Sequence, residues 1–164
     1  MKVYFAADHA GFELKNALLA FARDELHCEV EDCGAFALDT SDDYPAIIAA
    51  AARKLSADAS RGLESRAVVI GASGQGEAMV ANRFKGVRCA LYYGKAGKEQ
   101  LDLSGHTLDM LESSRHHNDA NALSLGARFL SEGEAKEALK KWLNTVFSGE
   151  ERHTRRVRDI DTVS

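Results

Sequence analysis

Four groups of residues in this chain are of the types that move protons or hold anions. Asp8 and His9 end a short apolar run and set an acid beside a base. The stretch GASGQGE arranges Gly71, Gly74 and Gly76 around Ser73 and closes on Glu77. Backbone N–H groups exposed in such a turn, where it leads into a helix, hold an anion or a developing oxyanion. Alone the turn is a weak sign, because any tight strand-to-helix reversal uses glycine. Glu77 strengthens it: the helix dipole favours a carboxylate there, and the position also suits a general base beside the anion cradle. His116, His117, Asn118 and Asp119 form the third group, although adjacent histidines are ordinarily surface residues. In the fourth group, Arg152 and Arg156 stand four apart on one helix face with His153 nearby, a spacing suited to phosphate oxygens. Arg155 and Arg158 point elsewhere and read as solvated charge. The chain has no HExxH or other close ligand set, so no metal site is expected.

Elements that must position these groups are set by the apolar pattern. Short apolar runs at Val3–Ala7, Glu29–Asp32, Ala67–Ile70, Arg88–Tyr92 and Ala122–Leu125 read as strands. Longer amphipathic stretches read as helices over Phe12–Leu26, from Pro45 to Leu55, over Ala78–Arg83 and over Ala135–Phe147. This alternation predicts an α/β, Rossmann-like doubly wound sheet of five mainly parallel strands, with helices on both faces in three αβα layers. Ligands bind such sheets at the carboxyl ends of strands, which is where Asp8, His9 and the Gly71 turn fall. Residues 93–116 form a long polar connector with some helical pattern, interrupted at Gly105. A single domain is expected over residues 1–148, followed by a charged helical tail over 149–164.

Composition narrows the class further. At 164 residues the chain has the length of one compact unit and an apolar fraction of 45%, enough to bury a core without disulfide or metal. Lys and Arg number 21 against 25 Asp and Glu, a net charge of −4 that attracts neither nucleic acid nor an anionic membrane. Cys28, Cys33 and Cys89 make an odd set without a CxxC pair, which fits buried thiols in a reducing compartment. No signal peptide and no membrane span is expected, so the predicted location is cytoplasmic.

Taken in order, DHAGFELK, DDYP, GxSGxGE with AN following, HNDAN, LGAR and RHxxR resemble the type B ribose-5-phosphate isomerases, a family that includes galactose-6-phosphate isomerase subunits. The resemblance spans nearly the whole chain, and the DCGA, DDYP and GASGQGE segments are most similar to the actinobacterial form. It implies interconversion of an aldose phosphate and a ketose phosphate through a cis-enediol, with no metal or organic cofactor. By position, His117 matches the histidine that helps open the furanose ring, with Asp8 as its acid–base counterpart. His9, Arg128, Arg152 and Arg156 match phosphate-binding residues, and Tyr44 and Asn118 match contacts to substrate hydroxyls. The Gly71–Gly76 amides match the cradle for the enediolate oxygens, and Ser73 is placed to add a hydrogen bond. The family shares its site between subunits, which implies a homodimer or dimer of dimers in which the tail arginines serve the neighbouring chain.

Two departures from the family pattern stand out. Many members carry a cysteine base directly after the third strand, where this chain has Gly71; members without it carry a glutamate six positions on, here Glu77. The base must take a proton from the carbon beside a carbonyl and return it to the neighbouring carbon on the same face. A carboxylate serves if burial raises its pKa and fixed donors stabilise the enediolate. The connector over 93–116 is longer than usual in the family, which leaves the sugar open: ribose 5-phosphate first, a four- or six-carbon sugar phosphate second. A sugar-phosphate-binding module without catalysis is the rival from another class, and it would not require Asp8, Glu77 and His117 together. The glycines come after the third strand and no acidic residue ends a following strand, which argues against a dinucleotide site.

Overall fold

A computed structural model describes residues 1–163. Five strands, β1 (Lys2–Ala7), β2 (Glu29–Asp32), β3 (Ser65–Gly71), β4 (Cys89–Tyr92) and, after a short hairpin, β7 (Ala122–Gly126), form one wholly parallel sheet in the order β2-β1-β3-β7-β4. Helix α1 (Phe12–Asp24) carries the chain outward from β1 to β2, while α3 (Gln75–Ala81) carries it from β3 toward β4 on the other flank. Connections therefore leave β1 and β3 in opposite directions and open a crevice between their carboxyl ends.

Strands buried on both faces need apolar residues at every position. Val3, Phe5, Val68, Ile70, Leu123 and Leu125 face Leu18 of α1 and Ala135, Leu139 and Trp142 of α5 (Glu132–Asn144). Tyr4, Ala6, Ala67, Val69 and Ala122 face Ile48, Ala51, Ala52 and Leu55 of α2 (Tyr44–Ser60). α2 starts with Pro45 in its first turn, where the missing N–H costs no intrahelical bond. It runs to Ser60, well beyond Leu55, because alanines and small polar residues continue the helix after the obvious apolar run ends. α5 begins at Glu132, earlier than its apolar pattern suggests, because Ser131 and Glu134 form a capping box. α3 likewise starts at Gln75 rather than Ala78, directly on the glycine turn.

Two contacts fix the loops at the carboxyl edge. Lys15 is fully buried and its Nζ donates to Asp32 at 2.7 Å and to the Ala35 carbonyl at 2.7 Å, tying α1 to the end of β2. Gly11 lets α1 start against β3, since a Cβ there would stand 2.6 Å from the Ile70 carbonyl oxygen.

The connector is ordered rather than merely helical. β5 (Gln100–Leu101) and β6 (Thr107–Leu108) pair as an antiparallel hairpin whose turn holds Gly105 at φ +84°, and α4 (Met110–His116) comes next, capped by Asp109 and Glu112. Gly105 interrupts a helix because it makes a hairpin. The tail is helix α6 (Glu151–Thr162), pinned through Asp161 to Arg88 at 2.8 Å.

Candidate active site

The first cluster lies in the crevice. Asp8 is buried, and its Oδ1 accepts from the backbone N–H groups of Ala10 and Gly11, which aims the carboxylate across the start of α1. His9 stands next to it at the rim, its Nδ1 2.7 Å from Asp42 Oδ1. That hydrogen bond raises the His9 pKa above its ordinary value and outweighs the opposing effects of desolvation and of Arg128. Arg128 lies in the loop after β7, and its backbone N–H donates to Ala72 O at 3.0 Å, so the loop is fastened to the glycine turn. His9 and Arg128 thus stand on one side of the crevice, close enough for the Arg128 charge to act on the His9 ring.

Glu77 occupies the floor and is 4% exposed. Burial pushes its carboxyl up; its own backbone N–H pulls against that, and the Asp8 charge adds to the rise. A side chain at position 71 would overlap the Glu77 carboxyl group, so glycine is required there for Glu77 to lie where it does. Gly74 caps α3 in the left-handed region at φ +74° and has Leu91 and the Leu125 carbonyl carbon packed against it. Gly76 admits the Tyr44 ring, whose hydroxyl oxygen would be 2.7 Å from a Cβ. Ser73 Oγ accepts from the Gln75 N–H at 3.4 Å, half-buried on the same turn. At the start of α3 the Glu77 N–H is directed to its own carboxyl group.

The cysteines stand apart from this floor. Burial pushes the Cys89 thiol up to about 12 and the Cys33 thiol up to about 11, which keeps both protonated at neutral pH.

The second cluster is built at the opposite edge of the sheet. His117 caps α4 just before β7 begins, whereas Arg128 comes after the end of β7. Five residues of strand separate the two edges by about 16 Å. His117 Nε2 is 3.0 Å from Asp102 Oδ2 of the hairpin, its Nδ1 is 3.2 Å from Gln100 Nε2, and its ring lies 4.4 Å from that of His153. Arg152 Nη2 donates to Ser104 Oγ at 2.7 Å, and its Nε lies 2.9 Å from Glu150. Asn118 and Arg156 are exposed beside it. Asp119 has a left-handed backbone, φ +44°, and is held by Arg115 at 2.7 Å and Arg88 at 2.8 Å, which fixes the turn carrying His117 and Asn118.

The residues expected to work together therefore fall into two groups within one chain. Asp8, His9, Tyr44, Gly71, Ser73, Gly74, Gly76, Glu77 and Arg128 meet; His117, Asn118, Arg152 and Arg156 meet elsewhere. His117 is not beside Asp8, because a parallel strand delivers the residues at its start and the residues at its end to opposite edges. The connector joins the second group, not the first. Sequence reasoning missed the roles of Asp42 and Asp102, the carboxylates that hold His9 and His117. Asp42 at least belongs to the DDYP motif; Asp102 sits in a polar segment with nothing local to mark it.

His116, His117 and His153 bring ring nitrogens within 4.8 Å of one another, and Asp8, His9 and Asp42 form a similar group. Hydrogen bonds to Asp102, Ser148 and Asp42 already account for the positions of His117, His153 and His9.

A profile of the Ribose/Galactose Isomerase family matches residues 3–160. The chain is 36% identical to the ribose-5-phosphate isomerase B of Mycolicibacterium paratuberculosis over 157 residues, 96% of this chain and 87% of that protein. It is 30% identical to D-erythrulose-4-phosphate isomerase 2 of Mycolicibacterium smegmatis, covering 98% and 95% of the two chains. The crystal structure of ribose-5-phosphate isomerase B from Mycoplasma genitalium with bound ribulose 5-phosphate superposes with a TM-score of 0.80 at 28% identity, over 98% of this chain and 93% of that one. With the sheet order, the glycine turn and the six motifs all in place, this chain belongs to the ribose/galactose isomerase family.

Proposed function

We propose that the chain is an aldose–ketose isomerase that interconverts ribose 5-phosphate and ribulose 5-phosphate through a cis-enediol, with no metal or organic cofactor taking part. The observation that carries this reading is the fit between Gly71 and Glu77: the carboxyl group fills the space that a side chain at position 71 would take, buried and with its pKa raised. In this reading Glu77 removes the proton from C2 of the aldose phosphate and returns it to C1 on the same face, with electrons from the broken C–H bond passing to the carbonyl oxygen. Amides of the Gly71–Gly76 turn and Ser73 hold the enediolate oxygens, which is where donors lower such a barrier. Asp8 shuttles the hydroxyl proton between the two oxygens. His9 and Arg128 bind phosphate from one side.

Because His117, Asn118, Arg152 and Arg156 lie at the other edge, they complete the site of a second copy. The active unit is then a homodimer or a dimer of dimers. Residues 1–148 supply the isomerase domain, and residues 149–164 reach the neighbour's phosphate. His117 opens the furanose before proton transfer. No helix among the described residues is long and apolar enough to cross a membrane. The three cysteines are free thiols, which supports a cytoplasmic location.

The test is an isomerisation assay across four-, five- and six-carbon aldose phosphates with EDTA present. Ribose 5-phosphate is expected to give the highest kcat/KM, unchanged by the chelator. Preference for a four-carbon sugar is the second reading, favoured by the relative named for D-erythrulose 4-phosphate and by the extended connector beside His117. Loss of all activity in EDTA would sink the metal-free chemistry.

A further inference from the structure

A cavity of about 960 Å³ opens at the amino edge of the sheet, away from the Gly71 turn by most of the length of β3. Its wall carries Arg53, Arg66, Lys85, Arg88 and Arg115 against Glu64, Asp119 and Asp161, an excess of positive charge in a chain whose net charge is −4. Two of these arginines are fully accounted for. Arg88 holds both Asp119 and Asp161, and Arg115 holds Asp119 and the Ala120 carbonyl.

Arg66 differs. It is 7% exposed, its Nη1 donates to Ser65 O, and its Nη2 reaches Glu64 at 2.9 Å. The Glu64 side chain is 76% exposed, so water screens the carboxylate that Arg66 hydrogen-bonds, and Asp119 acts on Arg66 only through its charge. Its Nε is buried without a partner. Burial and the Arg115 charge both act against the charged form of Arg66, yet a guanidinium stays protonated in proteins. An ion taken out of water without a well-buried counterion is costly to hold, a cost that a bound anion removes.

We propose that this cavity is a second ligand site, which takes a small phosphomonoester with a flat, partly apolar body and anchors its phosphate on Arg66. Phosphate accepts the planar fork of a guanidinium in bidentate fashion. Arg53 and Lys85, both exposed at the mouth, supply the balance of charge for a dianion. Phe84, Phe147 and Leu143 line the same space and offer an apolar wall to the rest of the molecule. A volume of this size lies in the range of sites for small organic ligands, roughly 300–1,000 Å³. Nucleoside monophosphates are the class that best combines these features. Asp119 and Arg115 belong both to this wall and to the turn that carries His117, so the ligand sits against the second half of the catalytic machinery.

The experiment is calorimetric titration of the full chain with adenosine monophosphate, inorganic phosphate and citrate, in the unaltered protein, Arg66→Met and Arg156→Ala. Adenosine monophosphate is expected to bind one equivalent per chain in the unaltered protein and equally in Arg156→Ala. Arg66→Met should weaken it by about tenfold or more, the loss of a charged hydrogen bond, and leave isomerase activity without nucleotide unchanged. Inorganic phosphate should bind the same place more weakly, which shows that the body contributes. If Arg66→Met does not fold, Arg53→Ala with Lys85→Ala should weaken the nucleotide severalfold. The proposal is overturned if no nucleotide heat appears, if citrate alone binds, or if Arg156→Ala rather than Arg66→Met removes the heat. It is also overturned if sedimentation shows that Arg66→Met alters only the assembly of copies, because the wall is then a subunit contact.

Discussion

The two clusters of polar residues in this chain are built by different rules. The one at the carboxyl edge is assembled from residues at the ends of β1, β3 and β7 and the start of α2, fastened by glycines that admit a carboxylate, a ring or a backbone where no side chain would fit. The one at the amino edge depends on contacts between distant segments: a hairpin at 100–108, the end of α4 and a helix beyond residue 150. The first is a rigid base-bearing floor. The second is a set of cations and imidazoles with exposed members and an open face. On the proposed function, a chain that keeps the two clusters at opposite edges acts on one substrate only together with a second copy.

The largest effect expected is at the floor. Glu77→Gln should keep folding and phosphate binding while lowering kcat by about 10²–10⁴-fold, with loss of solvent exchange at the carbon-bound proton. Thiol reagents should leave activity largely intact. Retained turnover in Glu77→Gln, together with its loss in a folded variant lacking Cys28, Cys33 and Cys89, would return the base role to a thiolate.

The division between clusters is tested next by mixing. Glu77→Gln and Arg152→Ala are each expected to be impaired alone, and chains that exchange should regain part of the activity in mixed assemblies. Exchange proved by mass spectrometry with no recovery would break the comparison itself.

Within the second cluster, His117→Asn should slow turnover of ribose 5-phosphate far more than that of ribulose 5-phosphate, which cannot close into a furanose. Equal losses would give the histidine a part in proton transfer or binding instead. His116→Asn is the control. Among the tail cations, Arg152→Ala or Arg156→Ala should raise KM severalfold or more through lost charge-assisted hydrogen bonds, and Arg155→Ala or Arg158→Ala should do little. Uniform effects would reduce the helix to a diffuse positive field.

The smallest effect concerns pH. Asp42 raises the His9 pKa, so the proton that favours phosphate is present below that value and lost as pH climbs through it. KM is expected to rise with pH in that window, once the substrate phosphate is already a dianion above about 6. Asp42→Asn should move the rise to lower pH. A KM profile unmoved by Asp42→Asn would mean that Arg128 alone dominates this side of the crevice.

The carboxyl-edge cluster is legible in the sequence because its chemistry is local. Asp8, His9 and the Gly71–Glu77 turn come directly after apolar runs, and the residues just beyond the end of a strand reach the crevice. The parallel sheet is legible from the same runs, although α2 and α5 exceed their apolar patterns through alanines and a capping box. Asp102 is not legible. A carboxylate in a polar connector looks like any solvated charge until the hairpin forms and brings it to His117 across fifteen positions. The separation of His117 from Asp8 follows the same strand-end rule, since HNDAN precedes β7 whereas Asp8 comes after β1.

The contact between Gly71 and Glu77 also constrains how such enzymes change over generations. A thiol introduced at position 71 while Glu77 remains forces the carboxyl end of Glu77 out of its present place, and on the proposed function removal of Glu77 before a thiol arrives leaves no base. On that reading neither single substitution keeps the present floor intact, and positions 71 and 77 are expected to change together.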